Sequence, residues 1–413
     1  MYSEKKIKKV CFITPGHIST NPRLVKEAIT LLKNGFSVHI IFTQYVKKLI
    51  IEDYYFLNSN PTIRYNALDW TDRNIKSYLT KLASGFINKI SQRIHSKFNL
   101  SALQILAINR NYYWQLKKAI SLNADIYIAH NLGALPIAIL AAKKKNKKSG
   151  FDAEDFHRYE ETDDKTDLKV KLKVSIEETY MPQADYVSAA SPLIADYYQK
   201  NLGINVTCIL NVFPKRQLTP NCKNDIPLKL FWFSQTVGPE RGIETIIDAL
   251  CILKDYDIEL NLLGEVNPVY EDKLKNILGK SSEDTKRIKF YKMISPDLIF
   301  DFGQAFDIGM CSETGFSTNN NIALSNKIFT YMQCSLAIVA SDTLAQKCLL
   351  EEHPHLGFLY KKNDAESLAN VLSNFINNRD ELVNAKNWSY RYAQQKFNWE
   401  NEEEKFLNVI RSL

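Results

Sequence analysis

Two cations at separate loop ends are the residues best suited to chemistry: Arg241, in the turn SQTVGPERG, and Lys327, just after the Asn-rich loop SETGFSTNNNIALS. A guanidinium offers a planar fork of donors that matches phosphate oxygens. An ammonium in the first turn of a helix adds to the free backbone N–H groups and the positive dipole end found there. Ser325 or Asn326 suits the N-cap, and Gly238 lets the backbone approach a ligand closely. Ile328, Phe329 and Met332 mark the buried side of this helix, which leaves Asn326, Lys327 and Thr330 on the other. One anion site built from two loops is the functional reading. A capped helix with a solvated lysine is the plainer reading of residues 325–332 taken alone.

Further candidates stand at strand ends. His130 closes the apolar strand DIYIA, and FDAEDFH brings Asp155, His157 and Arg158 to the end of the next one. In open parallel sheets the carboxyl ends of strands are where ligands bind. The loop PGHISTN, with Gly16 and His17, follows the first strand in the same way, although it is no GxGxxG dinucleotide fingerprint. Asp255-Tyr256-Asp257 matches the DxD pattern used for divalent metals, but it precedes a strand instead of following one. The expectation is a helix-to-strand turn, with no metal required.

The elements that would position these groups alternate strongly. Residues 7–14, 36–43, 62–68, 125–129, 151–157, 185–189 and 206–210 read as strands of a first half. Pro22 behind Thr20 or Asn21 opens its first helix. Residues 211–227, with three prolines and no periodicity, read as a linker. A second half then repeats the pattern, with strands at 228–233, 259–263, 288–291, 308–311 and 336–340 and closing helices. At 413 residues the chain is long enough for two domains of roughly 200 each. Two α/β halves that both present polar loops imply a cleft between them.

Composition narrows the class. Seven scattered cysteines without CxxC spacing fit buried thiols in a reducing compartment. There is no apolar signal segment and no run of 18 apolar residues, so a cytoplasmic protein is expected. The net charge of +7 is uneven: residues 73–124 hold nine Lys or Arg and no acid, interleaved with Leu79, Leu82, Phe86, Ile87, Ile90 and Ile94 at helical spacing. That segment is either a set of packed helices with a solvated basic face or a surface that sits on anionic lipid. It lacks a nucleic-acid-binding module, and no nucleic-acid partner is expected.

The chain resembles the family 4 type, GT-B fold glycosyltransferases over nearly its whole length. The resemblance is carried in order by ITPGHISTNPRLVKEA, ADIYIAHNLGALPIAILAA, FDAEDFHRYEE, ADYVSAASPLIADYY, FSQTVGPERGIETIIDAL, LNLLGE and SNKIFTYMQCSLAIVASD. It implies an α/β, GT-B architecture of two Rossmann-like domains with an interdomain cleft: residues 1–210 on the acceptor side and 228–387 for the nucleotide sugar. A closing helix, 388–413, would pack back on the first domain.

By this resemblance Arg241 holds the donor diphosphate, with Lys327 taking the place of an arginine that is here Gln235. His130 meets the donor sugar, and Gly16 with His17 forms the loop facing phosphate and acceptor. Gly264 and Asn326 line the donor site. Thr330 stands where the family's ribose-binding glutamate is usual, Ile322 where its companion glutamate would be, and Glu313 is the candidate sugar-contacting carboxylate. The implied activity is retaining transfer from a nucleotide diphosphate sugar to a glycan, lipid-linked, in bacterial surface polysaccharide synthesis. No cofactor beyond the nucleotide-sugar co-substrate is implied. A nucleotide-sugar epimerase and a catalytically silent glycan-binding partner are the alternatives.

Overall fold

The structure is a computed structural model that describes residues 8–71, 75–98, 101–217, 227–279 and 286–413. It divides into one compact unit of residues 1–210 with 403–413 and a second of residues 211–402.

Seven parallel strands form the sheet of the first unit: β1 (Lys9–Ile13), β2 (Ser37–Gln44), β3 (Arg64–Asp69), β4 (Ile126–His130), β5 (Lys148–Ala153), β6 (Tyr186–Ala189) and β7 (Val206–Cys208). Their order is β3-β2-β1-β4-β5-β6-β7. Strand order reverses at the β1/β4 pair, so the loops that leave those strands diverge and leave room at their carboxyl ends. β1 and β4 are almost wholly apolar and buried, as a sheet covered on both faces demands. The expected start of the first helix is seen at Pro22–Lys33, where Asn21 Oδ1 accepts from Leu24 N at 2.9 Å. Such a cap contributes about 1 kcal/mol.

The second unit repeats the design with six parallel strands: β8 (Leu228–Val237), β9 (Ile258–Val266), β10 (Ile288–Tyr291), β11 (Ile308–Cys311), β12 (Ala337–Ser341) and β13 (Gly357–Tyr360). Their order is β10-β9-β8-β11-β12-β13, with the reversal at β8/β11. Its core gathers Leu230, Trp232, Ile246, Leu260, Met310 and Val339 from the sheet and the helix over it.

Several expectations need adjustment. β8 runs on to Val237 through a register shift between Phe233 and Thr236, where the sequence reading placed a loop from Ser234. The helix Lys47–Ser59 was not foreseen, because it buries only Asp53 and Leu57 and so shows no apolar stripe. β13, a half-buried strand at the sheet edge, was not read either.

The supposed linker is partly packed: Val212 is buried, the Phe213 and Phe300 rings lie 5.1 Å apart, and Arg216 sits 4.1 Å over the Phe300 ring. Residues 218–226 lie outside the described residues. The second unit also extends beyond 387. Arg379–Gln395 is one continuous helix, and its Leu382 and Ala385 belong to the second core while Lys386 Nζ bonds Asp307 Oδ1 at 2.9 Å. Only residues 403–413 join the first unit, where Glu403 accepts from Thr30 Oγ1 at 2.9 Å and Arg411 donates to Asn34 Oδ1 at 2.9 Å.

Candidate functional site

β8 and β11 are neighbours, and the segments leaving their carboxyl ends build the site. Residues 238–242 follow β8, and Ser312-Glu313 follows β11. The first turn is held in an unusual conformation, with Glu240 at φ 62° and Gly242 at φ 72°. A Cβ on Gly242 would lie 2.1 Å from the carbonyl oxygen of Ser312, so glycine is needed there both for its left-handed backbone and for the close approach. The Ser312 hydroxyl pins the same turn, donating to Arg241 O at 2.7 Å while accepting from Trp232 Nε1 at 3.1 Å.

Gly242→Ala is therefore expected to destabilise the second unit by about 2 kcal/mol or more through backbone strain and displacement of this turn. Its thermal midpoint should fall. An unchanged midpoint would mean that the turn relaxes freely.

At Gly238 the protein's own packing does not demand glycine. An added Cβ would meet only the Thr236 methyl, at 3.8 Å, and the demand falls on Gly242 instead. Gly264, at φ 152°, is needed for packing: its Cβ position is 2.3 Å from Ser234 O, at the register shift of β8.

Arg241 emerges exposed from this turn and donates from Nη1 to Ser234 Oγ at 3.0 Å. Lys327 approaches from the helix Asn326–Gln333. Both line a single cavity of about 290 Å³, together with Glu313, Thr314 and Phe316. Lys327 arrives already paired: its Nζ is 2.8 Å from Glu313 Oε1 and 5.5 Å from the centre of the Trp232 ring. The other Glu313 oxygen accepts from Gln346 Nε2 at 3.1 Å. Burial raises the Glu313 carboxyl, but the Lys327 charge and hydrogen bonds from Lys327 and Ser325 outweigh it and hold the group below the usual carboxylate range. The cavity thus offers one exposed guanidinium and one ammonium shared with a carboxylate, an arrangement suited to a doubly charged anion attached to a polyol.

Neighbouring candidates turn out differently. Asn326 is exposed at the helix start, but Thr330 is 2% exposed and its hydroxyl bonds back to Asn326 O at 3.2 Å. Helical spacing still sets Thr330 beside Asn326 and Lys327, but the helix is buried from Ile328 to Gln333, so this end of the shared face is covered. Asp255-Tyr256-Asp257 sits, as its position implied, in the exposed turn before β9.

In the first unit the corrections are larger. His130 is wholly buried, with Nε2 3.0 Å from Glu27 Oε2 and Nδ1 3.2 Å from Glu154 Oε1. Both ring nitrogens are occupied, so it is the centre of a buried charge cluster and offers no nitrogen to a sugar. Arg23 completes the cluster, donating from Nε and Nη2 to the two oxygens of Asp152, each at 2.6 Å. Glu27, His130 and Asp152 bring one ligand atom each within 4.8 Å of one another, but Arg23 already takes both Asp152 oxygens.

His17 is likewise internal. Its Nε2 accepts from the backbone N–H groups of Tyr45 and Val46, and its Nδ1 donates to Asp53 Oδ2 at 2.6 Å. This is why the unforeseen helix Lys47–Ser59 buries an aspartate. Gly16 is half-buried, and its carbonyl accepts from Thr43 N at 3.2 Å. Asp155 is half-buried, and its carbonyl accepts from the Tyr198 hydroxyl at 3.3 Å. His157 is buried beside Glu160, and its Nε2 has no hydrogen-bond partner among the described residues. Ser234, Ser312 and Trp232 were not read from the sequence, since serines beside strands carry no local signal of what they bind.

Comparison with known proteins places this geometry. Residues 228–378 match the family model described as Glycosyl transferases group 1. The whole chain superposes on HepE of Anabaena, solved with UDP, at a TM-score of 0.68 and 15% identity, covering 98% of this chain and 100% of that one. A glycosyltransferase from Rickettsia africae gives 0.66 at 15% identity, covering 98% of each chain. S. aureus TarM, solved with fondaparinux, alpha-GlcNAc-glycerol and UDP, gives 0.68 at 13% identity, covering 98% and 100%. No curated protein sequence matches the chain. The fold is GT-B, and the stretch of the second unit that matches the group 1 glycosyltransferase model contains Arg241, Glu313 and Lys327.

Proposed function

We propose that the chain is a retaining glycosyltransferase that moves a sugar from a nucleoside diphosphate donor to a lipid-linked glycan, in the assembly of a bacterial surface polysaccharide at the cytoplasmic face of the membrane. The observation that carries the donor half of this reading is the convergence of Arg241 and the Lys327–Glu313 pair on one 290 Å³ cavity at the switch point of the second sheet. Structures of the same fold contain UDP, and one contains UDP-glucose. Retention, the lipid-linked acceptor and the polysaccharide role rest on the sequence resemblance.

The chemistry follows from charge. As the glycosidic bond of the donor breaks, negative charge collects on the leaving diphosphate. A cation already in place stabilises that charge without reorganising at the moment of reaction. Arg241, exposed and held by Ser234, supplies it directly. Lys327 is steered by Glu313, which keeps the ammonium aimed into the cavity and leaves carboxylate oxygen near bound hydroxyls. Because two side-chain cations meet the diphosphate, we expect no metal requirement.

A thermal-shift screen of the intact chain against UDP-, GDP-, ADP-, CMP- and dTDP-sugars tests this reading. One donor class should raise the melting temperature by several degrees at saturation, and the shift should persist in EDTA. No shift with any donor would sink the proposal, and a shift abolished by EDTA would overturn its metal-free form.

A further inference from the structure

We infer that the helix Ile75–Phe98 is a docking surface for an anionic phospholipid bilayer. It is built inside out: its apolar side faces solvent and its polar side faces the protein.

The inversion can be read residue by residue. Tyr78, Leu79, Leu82, Phe86, Ile87 and Ile90 are exposed by 59, 58, 53, 67, 42 and 36%. At 100° per residue they fall within one half of the helix circumference. On the other side, Ser91 and His95 are buried, and Asn88 Nδ2 donates to the carbonyls of Leu106 and Ala107 at 2.6 and 2.9 Å. The inner face therefore docks by hydrogen bonds on the neighbouring helix Ser101–Ile108. An ordinary surface helix would do the reverse, so six large apolar groups on one exposed stripe point to something that covers them.

Charge identifies what covers them. Lys81, Lys89 and Arg93 are exposed on the same helix, and no Asp or Glu occurs anywhere in residues 73–124. Beside Lys89 and Arg93 a cavity of about 400 Å³ opens against Leu168, Lys169 and Leu172, giving a recess that mixes cations with hydrocarbon. An apolar stripe flanked by cations complements a bilayer of acidic headgroups over acyl chains. A second copy of the chain would instead set like charges against like. Among the described residues no helix is long and apolar enough to cross a membrane, so the contact would lie along the surface. The inference deepens the membrane location proposed above by naming the surface and the lipid class. It does not depend on the donor site.

Flotation with vesicles of phosphatidylcholine, alone or mixed with phosphatidylglycerol, tests it on the full chain. The protein should rise with the mixed vesicles about tenfold more than with the neutral ones at about 0.1 M salt, and much less at about 1 M. Leu82→Glu with Phe86→Glu should lower binding about tenfold or more. Lys81→Glu with Lys89→Glu should remove the preference for phosphatidylglycerol. All four positions are exposed, so both double variants should melt with the parent protein, and either one alone suffices for the test.

The inference is overturned if the parent protein stays in the vesicle-free fraction at low salt, or if both double variants bind as it does. Equally, a solution dimer dispersed by the Leu82/Phe86 variant, without vesicle binding, would assign the face to a second copy. Donor-induced melting shifts read on the same samples separate the two proposals. Vesicle binding without any donor shift would retain this surface and remove the transferase reading.

Discussion

Arg241→Ala should reduce sugar transfer about 100-fold or more and leave the melting temperature close to that of the parent. Removing one preorganised donor to a developing negative charge typically costs about 3–4 kcal/mol of transition-state stabilisation, a factor of about 10² to 10³ in rate. The Arg241 side chain is exposed and, among the described residues, bonds only Ser234, so stability has little reason to change.

Lys327→Ala makes the informative contrast. Its partner Glu313 has a side chain only 9% exposed and would lose its counter-charge at 2.8 Å. Stranding a buried carboxylate is costly, by up to about 3–5 kcal/mol. The lysine variant should therefore lose both turnover and several degrees of melting temperature, where the arginine variant loses turnover alone. Near-parental turnover in Arg241→Ala would show that this cavity is not the donor diphosphate site.

The second large effect lies in the first unit. His130→Ala should lower stability by about 3 kcal/mol or more, because it leaves Glu27 and Glu154 facing one another around a void beside the Arg23–Asp152 pair. For a unit of this size that corresponds to a drop of roughly 6 °C or more.

The charge state gives a pH signature. Burial alone would lower the imidazole pKa, but the Glu27 charge, hydrogen bonds with Glu154 and Glu27, and Asp152 override it and raise the group to about 10 from 6.5. A group whose pKa is raised on folding contributes stability that is fully present below its unfolded value of 6.5 and is lost as pH rises through about 10. Melting temperature should therefore decline across that window, and His130→Gln should flatten the decline. A His130→Ala protein that melts like the parent but fails to transfer sugar would restore a direct catalytic role and refute the structural one.

Much of the scaffold was legible along the chain. Buried parallel strands tend to be continuous apolar runs, and twelve of the thirteen strands among the described residues coincide with segments that the sequence marks as strands. The thirteenth, Gly357–Tyr360, lies half-buried at the edge of its sheet. Arg241, Glu313 and Lys327 were also legible, because residues that follow adjacent strands at a switch point must emerge near one another.

What the chain could not reveal is which way a polar side chain turns. His130 and His17 both stand at or after strand ends, yet each is turned inward by a carboxylate distant in sequence, Glu27 and Asp53. Spacing sets Thr330 on the face of Lys327, and only packing decides that it is covered there. Residues 78–90 showed an apolar stripe, but only the hydrogen bonds of Asn88 to Leu106 and Ala107 decided that the stripe faces outward.

The division has a physical cause. Periodicity and turn chemistry are local, so the linear order of residues determined the elements, their parallel arrangement and the loops from which Arg241 and Lys327 project. Charge pairing and helix rotation depend on partners far away in sequence. Only the folded chain decided that Lys327 meets Glu313, that His130 is sealed among carboxylates, and that the basic helix turns its greasy side to the solvent.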